Sequence, residues 1–123
     1  MKKYILVADD EPDILDIVIT TLARPEWDIV TATDGPATMD RIKKQHFDLI
    51  ILDVLMPEPN GLEIARYLRK NDTTKDIPII IISAVSRENV IQTIKEIGVN
   101  DFIIKPFNLD TFEQKVTGYL GRK

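Results

Sequence analysis

Five polar residues stand at the ends of short apolar runs, and their types suit the binding of a cation and a phosphate. Asp9 and Asp10 follow the first run, Asp53 follows a later one, and Ser83 and Lys105 follow two more. Carboxylates that converge raise each other's pKa unless a cation compensates their charge. Carboxylate oxygens without neighbouring His or Cys favour Mg²⁺ or Mn²⁺. The residue types therefore predict a magnesium site, provided that the fold brings them together.

The same residues are suited to phosphoryl transfer. Catalysis of that reaction consists mainly of placing positive charge against the transferred oxygens and aligning the attack. A carboxylate can itself be the nucleophile and form an aspartyl phosphate. Asp53 is the best candidate because its apolar run is expected to form a central strand. Lys105 is then expected to pair with the phosphoryl oxygens, and the Ser83 hydroxyl to hydrogen-bond another of them.

The apolar runs predict five β-strands. These are Tyr4–Ala8, Asp28–Ala32, Asp48–Leu52, Ile79–Ile82 and Phe102–Ile104. The first, third and fourth are apolar almost throughout, as is typical of parallel strands that are covered on both faces. The second and fifth are more polar or shorter, so we expect them at the edges of the sheet.

A helix is predicted after each strand, with apolar residues at helical spacing. The first helix has the stripe Ile14, Leu15, Val18, Ile19 and Leu22. The residues expected to begin or cap the helices are Pro12, Pro36 after Gly35, Asn60, Ser86 and Asn108, and Gly98 is expected to end the fourth. Alternating strands and helices predict a parallel sheet with helices on both faces, built by right-handed crossovers. Sites in such sheets form beyond the carboxyl ends of the strands, where all five polar residues are expected.

Length and composition predict one globular domain, residues 1–123. The chain has 44% hydrophobic and 29% charged residues, no cysteine and a net charge of −4. Its Lys and Arg residues are scattered, which argues against direct nucleic-acid binding. It has no signal-peptide pattern, and its apolar runs are too short to cross a membrane. We therefore expect a cytoplasmic protein without a membrane partner.

Four segments make the chain resemble the receiver domain of two-component response regulators over nearly its full length. They are Ile5-Leu6-Val7-Ala8-Asp9-Asp10-Glu11-Pro12, Leu52-Asp53-Val54-Leu55-Met56-Pro57 with Gly61 beyond, Ile82-Ser83-Ala84, and Lys105-Pro106-Phe107. The resemblance implies a three-layer αβα fold of the flavodoxin-like, CheY-like type, with a five-stranded parallel sheet in the order 2-1-3-4-5.

The resemblance also implies a role for each site residue. Asp53 would accept a phosphoryl group from a phosphohistidine on a sensor histidine kinase or a histidine phosphotransfer protein. Asp10, Asp53 and the backbone carbonyl of Leu55 would bind Mg²⁺ directly, and Asp9 through a water molecule. Lys105 would precede a cis peptide bond to Pro106.

In this family a switch follows phosphorylation. Ser83 would move toward the phosphate, Phe102 would swing inward, and the surface of the fourth helix, fifth strand and fifth helix would change. Ser83 stands where threonine is frequent and keeps the hydroxyl, whereas Phe102 stands where tyrosine is frequent and lacks it. Leu55 and Val85 are apolar where other members carry polar groups that handle the hydrolytic water, so we predict no fast self-dephosphorylation.

Other functions were weighed against this interpretation. An aspartyl phosphatase usually has a second aspartate two residues after the nucleophile, where this chain has Leu55. A flavin or dinucleotide binder needs a phosphate loop after the first strand, and Asp9, Asp10 and Glu11 would repel phosphate in the absence of a metal. The stronger alternative is a pseudo-receiver, an interaction module that is never phosphorylated.

We expect a signalling switch that acts on a downstream protein or on a missing output domain, not an enzyme. Whether activation causes homodimerisation is left open.

Overall fold

The structure, a computed structural model, describes residues 2–84 and 87–121. It contains five strands: β1 Lys3–Ala8, β2 Trp27–Ala32, β3 Leu49–Asp53, β4 Ile79–Ser83 and β5 Asp101–Ile104. Five helices alternate with them: α1 Pro12–Leu22, α2 Gly35–Lys44, α3 Gly61–Lys70, α4 Glu88–Ile97 and α5 Leu109–Leu120. None of the helices in this part of the chain has the length and apolar character needed to span a bilayer.

The strands form one parallel sheet in the order β2-β1-β3-β4-β5. This confirms the predicted topology and the two edge strands. β1, β2 and β5 each begin one residue earlier than predicted, and β3 begins one residue later. β3 and β4 each end one residue later than predicted, because Asp53 pairs with Ile82 and Ser83 pairs with Ile104 in the ladder. Both polar residues are therefore the last residues of their strands, and their backbones are held by the sheet.

The core lies on both faces of the three central strands. Consecutive strand residues point to opposite faces, so Leu6 and Ile50 pack on the side of α2, α3 and α4, whereas Ile5 and Ile51 pack on the side of α1 and α5. These four side chains are fully buried. Burial of each contributes roughly 1.5–3 kcal/mol. A strand that is covered on both faces has no room for alternation with polar residues, which explains the continuous apolar runs.

Most of the predicted helix ends are confirmed. Asn60 and Glu63 form a reciprocal capping box at the start of α3, with N···O distances of 2.9 and 3.0 Å. Asn108 accepts from Thr111 at the start of α5. Gly98 ends α4 with a φ of 86°, in the left-handed region that favours glycine. The cap expected at Ser86 lies outside the described residues, as does Val85.

The first helix buries a narrower stripe than its sequence pattern predicts. Leu15, Val18 and Leu22 are buried against the sheet, but Ile19 is 39% exposed and its neighbour Ile17 is 43% exposed. A helix on a flat sheet covers only one narrow face, so apolar residues at the border of the stripe stay in contact with water.

Gly61 allows the start of α3 to lie directly against the end of β3. Its amide donates to the carbonyl of Val54 at 3.3 Å. A Cβ at this position would fall inside the backbone of Asp53, only 2.8 Å from its carbonyl carbon and closer still to its oxygen. Only glycine permits this approach without moving the end of the strand.

We therefore expect Gly61→Ala to lower the free energy of unfolding by about 1–3 kcal/mol, because the added methyl group must displace buried backbone. Gly118→Ala is the control, since no described atom lies within 4 Å of a Cβ built there. That change should be neutral or stabilise α5 by up to about 1 kcal/mol. Urea unfolding of both variants measures the difference, and equal stabilities would contradict the close packing at Gly61.

Candidate functional site

The carboxyl edge of the sheet brings all the predicted polar site residues together. Asp9 directly follows β1, and its amide donates to the carbonyl of Ala32 at 3.1 Å, which ties it to the neighbouring strand. Asp9, Asp53 and Ser83 are buried, with at most 3% of each exposed. Asp10 is exposed at the rim. Convergence follows from the parallel topology, because every strand of a parallel sheet ends at the same edge.

Lys105 reaches into this cluster from the residue after β5. Its Nζ lies 2.9 Å from Asp9 Oδ2, 2.8 Å from Glu11 Oε1 and 3.3 Å from Asp53 Oδ2. Its side chain is only 11% exposed. Its amide donates to the Ser83 carbonyl at 2.8 Å, and the peptide bond to Pro106 is cis, as expected. One ammonium thus faces three carboxylates.

Asp9 Oδ2 shows that this ammonium does not satisfy the cluster. The oxygen is buried and close enough to Lys105 Nζ for an ion pair, yet no described donor is aligned with it for a hydrogen bond. The Lys105 ammonium that neutralises this oxygen is also paired with Glu11 and Asp53. The oxygen is thus available to a cation or to a water molecule bound to one.

The ionisation of Asp53 reflects the same shortage of positive charge. Burial, followed by repulsion from Asp9, raises the pKa of Asp53 to about 6, although Lys105 and the amide of Leu55 oppose the rise. Burial by itself lowers the pKa of Lys105, but its contacts with Glu11, Asp9 and Asp53 outweigh burial and hold that pKa above its usual value. Lys105 is therefore charged at neutral pH, and a second cation would favour the ionised form of Asp53.

Four carboxylates are placed to share a metal ion. One oxygen each from Asp9, Asp10, Glu11 and Asp53 lies within 4.8 Å of the others. Glu11 was not among the predicted ligands. The signal that could have identified it is the unbroken acidic run Asp9-Asp10-Glu11, which turns from the end of β1 into α1. Carboxylates are the ligands that Mg²⁺ and Mn²⁺ take in proteins, so the donor set fits such an ion.

Leu55 completes the surroundings of Asp53. Its amide donates to Asp53 Oδ1 at 3.4 Å, and its side chain is 54% exposed. Leu55, Ala84 and Lys105 contribute with the acidic residues to the wall of a shallow pocket of about 190 Å³. The pocket has room for a small anion beside a metal ion, with Lys105 on one side.

The two predicted switch residues belong to adjacent strands, β4 and β5. Ser83 is fully buried at the end of β4. Phe102 belongs to β5 and is half-buried, packed against the core on the side of α2, α3 and α4. The structure thus brings together Asp9, Asp10, Asp53, Ser83 and Lys105 and adds Glu11 to them. Phe102 belongs to the edge strand β5 and is not one of the residues that line the pocket.

Comparisons with known proteins agree with this geometry. Residues 5–117 match the model of the response regulator receiver domain family. The chain is 36% identical over 121 residues to the probable transcriptional regulator ycf27 of Porphyridium aerugineum and 33% identical over 122 residues to the regulatory protein PhoP of Bacillus subtilis. The alignments cover 98% and 99% of this chain but 49% and 50% of those proteins, so the chain spans about half the length of the curated relatives it matches.

Solved structures show the same fold. Chemotaxis response regulator CheY4 of Vibrio cholerae superposes with a TM-score of 0.88 at 28% identity, covering 97% of this chain and 99% of CheY4. The matched family, the strand order and the acidic cluster around Asp53 and Lys105 all agree. The chain therefore belongs to the response regulator receiver domain family of two-component signalling.

Proposed function

We propose that Asp53 is the phosphoacceptor of this receiver domain. The observation that carries the proposal is the position of its carboxylate, which is buried at the end of β3 between an acidic cluster and the Lys105 ammonium, 3.3 Å away. In the transfer, an oxygen of Asp53 attacks phosphorus while the bond between phosphorus and the imidazole nitrogen of a phosphohistidine breaks. The products are an aspartyl phosphate and a histidine side chain that takes up a proton.

Mg²⁺, or Mn²⁺ in its place, is the proposed cofactor. Asp10, Asp53 and the carbonyl of Leu55 would hold the ion. The carboxylates of Asp9 and Glu11 would lie beside it and add negative charge. When bound, the ion supplies positive charge to the phosphoryl oxygens. The buried Oδ2 of Asp9 supports this assignment, because its ion-pair partner Lys105 is shared with Glu11 and Asp53.

Lys105 and Ser83 would then hold the transferred group. The Lys105 ammonium is already directed at Asp53 and is kept charged by its three carboxylate partners. Phosphoryl oxygens beside Asp53 would give this ammonium a new partner. Ser83, at the end of the neighbouring strand, would donate its hydroxyl to another oxygen, and Phe102 would follow its movement. This would alter the surface of α4, β5 and α5.

Partners follow from the family and remain proposals for this chain. The donor would be a sensor histidine kinase or a histidine phosphotransfer protein, and the output a downstream protein or an output domain. We propose that residues 1–123 form the whole receiver unit, a switch that acts on no separate substrate. A cytoplasmic location and the absence of direct nucleic-acid contact stay predictions, and homodimerisation on activation stays open. The pseudo-receiver alternative is disfavoured because every acidic position and the lysine are present together.

Incubation with Mg²⁺ and acetyl phosphate should add one phosphoryl group to the protein. The bond should be stable in acid and labile in base, as expected of an acyl phosphate, and should not form when the metal is chelated before the donor is added. Asp53→Asn should lose the modification because it lacks a carboxylate nucleophile. Asp16→Asn, an exposed residue of α1 outside the site, is the matched control and should keep it. Intact-protein mass spectrometry measures the addition, and undiminished labelling of Asp53→Asn would place the acceptor elsewhere.

The raised pKa of Asp53 predicts that its charge destabilises the metal-free protein. A carboxyl whose pKa rises from 3.8 to about 6 on folding contributes stability that is fully present below about pH 4 and lost as the pH rises through about 6. Asp53→Asn should therefore be more stable than the wild type above pH 6 in the presence of chelator. Since one unit of pKa is worth about 1.4 kcal/mol, the gain has an upper bound of about 2–3 kcal/mol.

Urea unfolding at a series of pH values measures this effect. The advantage of Asp53→Asn should shrink below pH 6 and should also shrink when Mg²⁺ is added to both proteins, because the ion compensates the wild-type charge. An advantage independent of both pH and Mg²⁺ would show that the gain has another origin than the charge of Asp53.

We expect the aspartyl phosphate to outlast the range of seconds once the donor is removed. The side chain beside the site is Leu55, which is 54% exposed and offers no polar group to orient an attacking water molecule. Leu55→Asn should shorten the lifetime, whereas Leu109→Asn, an exposed leucine of α5 that is 41% exposed, should not. Loss of phosphate from the purified phosphoprotein, followed by mass spectrometry, gives the lifetimes; decay of the wild type within seconds would refute the expectation.

A further inference from the structure

The proposed metal site includes the backbone carbonyl of Leu55, a residue whose side chain is mostly exposed. Leu55 belongs to the connection between β3 and α3, residues 54–60, which we call the site loop. More than half of the Leu55 side chain is exposed, so packing of that side chain cannot fix the direction of its carbonyl. The flanking side chains of Val54 and Met56 are buried in the core, so the position of this carbonyl comes from them and from the backbone contacts of the site loop.

The ends of the site loop are held by the elements that it connects. The amide of Val54 donates to the carbonyl of Ile82 at 3.1 Å, which extends the ladder to β4. The carbonyl of Val54 accepts from Met56 at 3.2 Å and from Gly61 at 3.3 Å. These bonds hold the first part of the loop and the start of α3. These hydrogen bonds to β4 and to the start of α3 do not involve the segment around Pro57 and Pro59.

That segment rests on the start of α2. The amide of Gly35, the first residue of the helix, donates to the carbonyl of Pro57 at 3.3 Å. Gly35 is buried, and a Cβ built on it would lie 2.6 Å from the nitrogen of Pro59, 2.7 Å from its Cδ and closer still to its oxygen. The loop backbone thus occupies the space that any other side chain at position 35 would require.

The start of α2 is itself rigid enough to serve as a support. The Asp34 side chain accepts from the amide of Ala37 at 2.7 Å and caps the helix. The Asp34 carbonyl accepts from the amide and the hydroxyl of the buried Thr38. Because the cap keeps Gly35 in place, the contact with Pro57 and Pro59 defines how closely the site loop approaches α2.

We propose that Gly35 is a positioning residue for the metal site, acting through the site loop on the carbonyl of Leu55. This inference rests on the proposed function, since it assumes that the Leu55 carbonyl binds Mg²⁺. A side chain at position 35 pushes Pro59 and Pro57 away from α2, and the displacement is carried along the loop to Leu55, two residues before Pro57. Gly35 contacts neither the metal ion nor the phosphate.

The test is the affinity of Gly35→Ala for Mg²⁺, measured by calorimetric titration of the folded protein. Changes in groups that orient metal ligands typically weaken affinity 10-fold to 100-fold, and we expect at least a tenfold loss here. Gly118→Ala adds the same methyl group in open space on α5 and should bind like the wild type. Asp34→Ala removes the cap of α2 without adding an atom near Pro59, and it should lower the urea midpoint but weaken Mg²⁺ binding much less than Gly35→Ala does.

Three results would each contradict a different part of the argument. Wild-type affinity in a folded Gly35→Ala variant overturns the inference. A loss of affinity in Asp34→Ala as large as that in Gly35→Ala also overturns it, because general loosening of α2 would then suffice. Absence of Mg²⁺ binding by the wild type itself defeats the proposed function and not the role of Gly35 alone.

The unmodified protein offers a second test that does not depend on whether Gly35→Ala folds. If the loop couples Gly35 to the metal, binding at one end must stabilise the other by linkage. Saturation with Mg²⁺ should therefore slow hydrogen exchange of the Gly35 amide that is bonded to Pro57. The amide of Gly98, which donates to the carbonyl of Ile94 at 3.2 Å at the end of α4, is the reference. Equal slowing of both amides, or of neither, refutes the coupling.

Discussion

The site depends on one ammonium group that faces three carboxylates, two of them buried, at the carboxyl edge of the sheet. Lys105 lies within 3.3 Å of Asp9, Glu11 and Asp53, and no single cation can neutralise all of them. In a region of low dielectric constant such an excess of negative charge is expensive. The excess is also what would favour the proposed divalent cation, because the ion would remove a repulsion that folding has already imposed.

The fold tolerates this excess because the sheet and its core supply stability elsewhere. β1, β3 and β4 are covered on both faces, and their apolar side chains contribute far more than the unfavourable charge at their ends costs. The strands also restrict the movement of the charged residues. Asp53 is the last member of a paired ladder and the amide of Asp9 is bonded to β2, so the backbones that carry these two buried carboxylates are held in place. The buried carboxylates therefore stay close together in the absence of a cation.

The loops around the pocket have a different role from the strands. Strands place the side chains of Asp53 and Ser83, whereas in the proposed metal site the loop after β3 would place a backbone carbonyl beside them. Glycines at the starts of two helices, Gly35 and Gly61, let the backbone of this region pack without intervening side chains. Metal binding would then depend on helix α2, which contributes no ligand. A receiver domain can in this way couple its phosphorylation site to elements that never contact the phosphate.

The sequence by itself determined the five strands, the two edges and the caps at Asn60 and Asn108, because continuous apolar runs and capping residues are local signals. The strand order came from the resemblance to receiver domains, and the convergence of the polar residues followed from parallel strands ending at one edge. Tertiary structure alone decided that Glu11 joins the acidic cluster, that Ile19 stays exposed and that Gly35 supports the site loop. These three features depend on contacts between elements that are far apart in the chain. The spacing of residues along the sequence does not show which distant residue will lie beside a given side chain.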